Sequence, residues 1–376
     1  MHKAAKTLIT LALLATFGGA AWLAFDRTAP SALPPALTGR PAQTVQLKGL
    51  IALDVEPYFK DPRVIEALAQ KGFQVDVTRI GSRDMAARAV PGQAPDFFFP
   101  SGVVAANQIG DAARKSNIGT TAYSPFYTPM VIASWTPVAQ VLAANGMAKE
   151  TQPKVWSLDF GKLAQAMLER KRWNQLKSAG AYDVNKSILV STTDVRRSNS
   201  AAQYLALTTH AINGGEVVSD RAAAQKAAQR AAELFKRQGY QENYVNGNFD
   251  DYVSIGMGKT PLAFIYENQM VSYALAKKGV AADMVLMYPQ PTIFNKVVFV
   301  ASSEKAKALG EALSTDPTLQ RLAVDHGFRI GDTAHFVQVA KAAGLAVEER
   351  LSQVVDPPSF ELMGEMIDVV AAEMGR

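Results

Sequence analysis

Residues 192 to 200, Thr-Thr-Asp-Val-Arg-Arg-Ser-Asn-Ser, carry eight polar side chains in nine positions. Ser187-Ile188-Leu189-Val190 before them reads as a buried strand, and Tyr204, Leu205 and Leu207 after them as the apolar face of a helix. Arginine presents a planar fork suited to a carboxylate or another oxyanion. Ser and Asn add hydrogen-bond donors, and a helix N-terminus adds free N–H groups with partial positive charge. A helix cap is a simpler use of the same segment, because Ser200-Ala201-Ala202-Gln203 fits a capping box. That cap leaves Arg196, Arg197, Ser198 and Asn199 for a ligand or for solvent.

Three junctions share this design. Residues 79–86, 97–106 and 194–203 each pass from a strand through small polar residues into a helix. In open α/β sheets, ligands collect at the carboxyl ends of strands, where such junctions lie. Ser, Asn and Gly are also ordinary caps, so the ligand reading rests on the repetition and on the adjacent arginines. Glu267, after the apolar run Ala263 to Tyr266, could bind a substrate ammonium, hold a nearby arginine, or cap the helix that starts near Gln269. Tyr288, ahead of Pro289, reads more readily as a buried structural tyrosine than as a ligand group.

Catalytic patterns are scarce. Gly256-Met257-Gly258-Lys259-Thr260 resembles a phosphate-binding loop, but Val253 stands where that motif needs its first glycine. There is no G-x-S-x-G elbow and no H-E-x-x-H pair. The chain has four histidines and no cysteine, which excludes disulfides, thiolate metal sites and thiol nucleophiles. The reading is therefore a non-enzyme with no metal and no cofactor.

The elements that position these residues alternate along the chain. Strands are expected over 45–53, 73–80, 96–99, 130–134, 262–266 and 297–301, and helices over 62–71, 83–90, 103–109, 138–144, 160–170, 221–238, 305–314 and 318–326. This pattern argues for an α/β fold with mostly parallel sheets. At 376 residues, 48% hydrophobic and 19% charged, the chain is globular and long enough for two cores. A net charge of +5 with no long basic run argues against nucleic acid.

His2, Lys3 and Lys6 precede nineteen uncharged residues, 7–25, followed by Asp26 and Arg27. This is an export signal, either a cleaved peptide or an anchor in the cytoplasmic membrane, since nineteen helical residues nearly span a hydrocarbon core of about 30 Å. Residues 28–45 are proline-rich and read as a tether. The stretch 346–376 ends in an amphipathic pattern, with Phe360, Met363, Met366, Ile367 and Val370 on one side, that either packs on the body or meets a partner.

With these pieces in place, the sequence resembles the type II periplasmic solute-binding proteins, the two-lobed receptors that serve ABC transporters. The likeness is carried by the export signal ahead of LKGLIALDVEPYFKDPRVIEAL (47–68), and by YSPFYTPMVIAS (123–134), STTDVRRSNSAAQYLAL (191–207) and ALGEALSTDPTLQRLAVDHGFR (308–329). The resemblance implies a two-lobed fold with two crossings between lobes: 46–127 and 268–345 in lobe I, 128–267 in lobe II, and 346–376 as an extension. It places Ser82 and Ser101 on the cleft from lobe I, Thr128 at the crossing, and Arg196, Ser198, Asn199 and Ser200 on lobe II. Glu267 would lie at the return crossing and Tyr288 at the rim. The implied function is extracytoplasmic capture of a small anionic solute for a transporter permease. A membrane-tethered sensory or interaction module on the same fold is the alternative. The missing lipobox cysteine and the terminal extension depart from the family pattern.

Overall fold

The computed structural model describes residues 44–375 except 240, 242, 244, 278 and 279. The expected membrane segment, and the tether up to residue 43, lie outside the described residues. Among the described residues no helix is long and apolar enough to cross a membrane.

In chain order the first half supplies β1 (Val45–Ile51), α1 (Glu56–Lys60), α2 (Pro62–Gln70), β2 (Phe73–Arg79), β3 (Phe97–Phe99), α3 (Val103–Lys115) and β4 (Thr121–Trp135). There follow α4 (Thr136–Ala144), β5 (Ala148–Gln152), β6 (Val155–Asp159), α5 (Phe160–Leu168), α6 (Asn199–Ile212), α7 (Arg221–Lys236), α8 (Val245–Ser254) and β7 (Ala263–Tyr266). The rest comprises α9 (Glu267–Leu275), β8 (Met284–Gln290), β9 (Thr292–Ala301), α10 (Glu304–Thr315), α11 (Pro317–Asp325), α12 (Thr333–Ala342), β10 (Val354–Val355) and α13 (Phe360–Met374).

Local chemistry explains the clearest of these. At the start of α2, Asp61 accepts from the Arg63 N–H at 2.8 Å, Pro62 follows it, and Gly72 at φ +80 lies beyond the helix end. β1 pairs in parallel with β2 and β3. Gly49 in β1 has no side chain because the Phe97 ring lies over it; a Cβ there would sit 2.0 Å from the ring.

β4 belongs to both sheets. Thr121 to Pro129 pairs antiparallel with β9, while Met130 to Trp135 pairs antiparallel with β7 on one side and β8 on the other. β6 extends the second sheet parallel to β8, and β5 closes its edge. The architecture is thus two sheets joined by β4 and by the β8–β9 run, with helices packed around them. Residues 268–290 were expected in the first lobe, but β8 pairs with β4 and β6, so the return to the first sheet comes between Gln290 and Thr292. The helix expected over 83–90 is instead two 3-10 turns, Ser82–Asp84 and Ala86–Arg88. Ala89, with ψ 63, has already left the helical region two residues ahead of Pro91.

The C-terminal stretch is packed on the body. Met363, Met366, Ile367 and Val370 of α13 are buried, and the helix lies against α7, α6 and α3. Arg221 at the start of α7 pairs with Glu365 at 2.5 Å, and Thr151 on β5 donates to Glu348 at 3.2 Å.

Candidate functional site

The ends of β1, β2 and β3 and the segment ahead of α6 line an open cavity of 240 Å³. Residues 52–54, 79–83 and 101 line it from the first sheet; residues 197–199 and Tyr266 line it from the second. Leu53, Asp54 and Tyr266 also border a second hollow of 600 Å³. A hollow of 670 Å³ lies among the helices outside the second sheet, lined by Asp159, Arg170 and Glu233, away from the meeting strand ends.

Two helix N-termini meet here. α3 starts after Gly102 and α6 after Ser198, and neither N-cap makes a side-chain capping bond. Gly102 has φ +81, and a Cβ on it would lie 3.1 Å from the Asn199 amide, so the two helix starts are in near contact. Gly102 is required at this approach on both counts. The two ends concentrate free N–H groups and partial positive charge on one cavity.

Polar side chains tie the two halves together across this point. Asn199 Nδ2 donates to the Tyr266 hydroxyl at 3.1 Å and to Asn295 Oδ1 at 3.3 Å. Asn295 Nδ2 donates to Asp54 Oδ2 at 3.1 Å, and Ser101 Oγ donates to Asp54 Oδ1. Ser82 Oγ accepts from the Ser101 N–H at 2.9 Å. From the first sheet, Arg83 reaches the carbonyls of Val195 and Arg196 at 3.2 and 3.1 Å. Burial raises the Asp54 carboxyl above its ordinary value, and the Ser101 and Asn295 donors offset this only in part. Burial likewise raises the Tyr266 phenol, with the nearby Asp54 charge adding to the effect.

The residues expected from sequence divide. Ser82, Ser101, Ser198 and Asn199 line the cavity. Arg196 does not: it turns back on Asp194, with Nε at 2.9 Å from Oδ1, and its side chain is 52% exposed. Burial works to raise the Asp194 carboxyl, but the Arg196 hydrogen bonds outweigh it and hold the group below its ordinary value. Arg197 lines the cavity instead, and its guanidinium has no hydrogen-bond partner among the described residues.

Ser200 is buried behind the cavity, where its hydroxyl bonds Thr193 at 2.9 Å and Ser198 at 2.8 Å. The expected capping box does not form, because α6 starts two residues earlier with Ser198 as N-cap, and the Gln203 Oε1 is buried without a partner. Thr128 is buried and accepts from the Asn268 N–H at 3.0 Å. Glu267 takes the arginine-holding role: both of its oxygens meet Arg329, at 2.6 and 2.8 Å, and the Tyr288 hydroxyl donates to it at 2.5 Å. Tyr288 is buried in β8, not at a rim, so neither Glu267 nor Tyr288 reaches the cavity.

Sequence reasoning missed Asp54, Arg83, Tyr266 and Asn295. Asp54 stands after the apolar strand β1 and ahead of a helical turn, the same kind of junction as the three singled out. Asn295 stands between Phe294 and Val297 in a run that is otherwise apolar but for Lys296, a buried polar group that needs partners.

No protein-family model and no curated protein matches this sequence. Solved structures do match in three dimensions. An ABC transporter solute-binding protein from Thermotoga lettingae, bound with α-D-tagatose, aligns with a TM-score of 0.55 at 12% identity, over 88% of this chain and 93% of that one. A ferric-binding protein from Campylobacter jejuni aligns at 0.54 and 12% identity, over 88% and 98%. The substrate-binding protein of an ABC transporter from Agrobacterium tumefaciens aligns at 0.51 and 15% identity, over 90% and 97%. The fold is that of the ABC-transporter solute-binding proteins. In this fold the cavity described above is lined from both sheets, and Asn295 of β9, paired with the crossing strand β4, donates to Asp54 on its wall.

Proposed function

We propose that the chain is an extracytoplasmic solute-binding protein, which captures a small solute bearing an anionic group between its two lobes and presents it to an ABC-type transporter. Capture is non-catalytic and works by closure of the lobes on the solute. The observation that carries this reading is the meeting of the α3 and α6 N-termini, both free of side-chain caps, on a cavity lined by Arg197, whose guanidinium makes no hydrogen bond among the described residues. Such ends favour negative charge, and an arginine fork adds bidentate recognition.

The likeness of fold supports the general role. The named ligands of the matching structures, a ferric ion and a sugar, are too different to fix the solute of this chain. In this reading residues 1–27 export the protein and hold it at the cytoplasmic membrane, and Gln290–Thr292 is the return crossing between lobes. The interaction-module alternative has less support, because the C-terminal helix that a partner would meet has its apolar side buried against α7.

Thermal denaturation of the full chain against oxyanions, carboxylates and amino acids tests the proposal. A ligand at one hundred times its dissociation constant adds about 2.7 kcal/mol of stability. Stabilisation that is lost in Arg197→Gln is the expected result. If no compound of a broad set stabilises the protein, the capture reading fails.

A further inference from the structure

Three charged side chains on the cavity, Asp54, Arg83 and Arg197, join no ion pair among the described residues. Three arginines line it, but Arg79 pairs with Glu56 at 3.1 Å and Arg83 is taken up by two backbone carbonyls. Arg197 is left. Opposite in sign is Asp54, whose oxygens accept from the neutral donors Ser101 and Asn295 and which joins no ion pair among the described residues. Burial penalises its ionised form, and two neutral donors compensate only in part.

A simple anion in this space would gain from Arg197 and the two helix ends and lose to Asp54. A simple cation would meet the reverse. A molecule carrying both signs satisfies every unmatched group at once.

Resting on the capture reading above, we propose that the solute is a small zwitterion of the amino-acid type. Its carboxylate, sulfonate or phosphonate faces Arg197 and the α3 and α6 N-termini, and its ammonium group faces Asp54. Asp54 is then the group that sets specificity, since it rejects bare oxyanions that the helix ends alone would accept.

Calorimetric titration of the full chain with matched pairs tests this: acetate against glycine, sulfate against taurine, succinate against aspartate. At least one zwitterion is expected to bind wild type tenfold or more tightly than its bare partner. Asp54→Asn should weaken that zwitterion tenfold or more and strengthen the bare anion, whereas Arg197→Gln should weaken both. Bare anions that bind wild type as tightly as the zwitterions overturn the proposal and leave the anion-capture reading standing. Binding of neither class overturns both. The matched-pair comparison on wild type needs no variant, so it decides the question even where Asp54→Asn fails to fold.

Discussion

Glu267 and Arg329 face each other as a bidentate pair at 2.6 and 2.8 Å, with side-chain exposures of 0% and 1%. Tyr288 completes the Glu267 carboxylate, while Arg329 also donates to the Glu348 carbonyl at 2.5 Å and stacks over Phe336 at 4.5 Å. The network joins the end of β7, the strand β8, the loop after α11 and the C-terminal stretch. Its position makes it a structural knot behind the cavity and not a part of the cavity wall.

Breaking one side of such a pair leaves a buried charge unmatched, which costs about 3–5 kcal/mol. Arg329→Met should therefore lower stability in urea denaturation by about that amount. Replacing both residues, Glu267→Leu with Arg329→Met, should cost less than Arg329→Met alone, since no charge is stranded. A double variant that loses the sum of the single losses would show the two residues to act independently.

Gly102 and Asn199 mark where the two helix ends approach. Alanine at 102 must adopt φ +81 and place a Cβ 3.1 Å from the Asn199 amide and 3.2 Å from Asn295 Oδ1. The backbone strain is about 1–3 kcal/mol. Gly102→Ala should lower the melting temperature and weaken solute binding together, because the displaced Asn199 lines the cavity. Unchanged affinity in calorimetry would separate the approach of the helices from solute capture.

Much of this arrangement is legible in the residues. Asp61-Pro62 and Gly72 announce both ends of α2, and the stripe Met363, Met366, Ile367, Val370 marks the buried side of α13. Which of two neighbouring arginines enters the cavity is not legible. Asp194 two residues before Arg196 captures it, a local geometry that the pattern RRSNS does not encode. The same holds for the cap: three hydroxyls within eight residues, Thr193, Ser198 and Ser200, form their own bonded chain, and the start of α6 moves accordingly. Tyr266 and Asn295 escaped because each is brought to this point by pairing between distant strands, which no local pattern reports, whereas Asp54 stands at a strand-to-helix junction of the kind singled out.

Among the described residues, Arg83 is the one first-sheet side chain that hydrogen-bonds the segment ahead of α6, through the carbonyls of Val195 and Arg196. Hydrogen bonds of this kind contribute about 1–2 kcal/mol in a partly exposed setting. If they favour the closed arrangement, Arg83→Ala reduces the fraction of binding-competent protein and weakens apparent affinity about tenfold. Small-angle scattering of the unliganded variant should show a larger radius of gyration than wild type. Equal radii with equal affinities would assign the contact no part in closure.

Asp54 also leaves a signature in the stability of the unliganded protein. Its carboxyl is raised by burial above the ordinary 3.8, so the folded chain binds this proton more tightly than the unfolded chain does. Stability contributed by this group therefore falls as pH climbs above 3.8, until the raised value is passed, and stays low beyond it. Below 3.8 both states are protonated and the effect vanishes. Asp54→Asn removes the ionisable group while keeping the shape. The variant should gain melting temperature over wild type near neutral pH, and the gain should shrink steadily as the pH is lowered towards 4. Any change in hydrogen bonding made by the asparagine is independent of pH, so the slope and not the offset carries the information. A difference between variant and wild type that stays constant from neutral to acidic pH would mean that the Asp54 charge is already compensated in the empty cleft, and would remove the reason for an ammonium group to sit there.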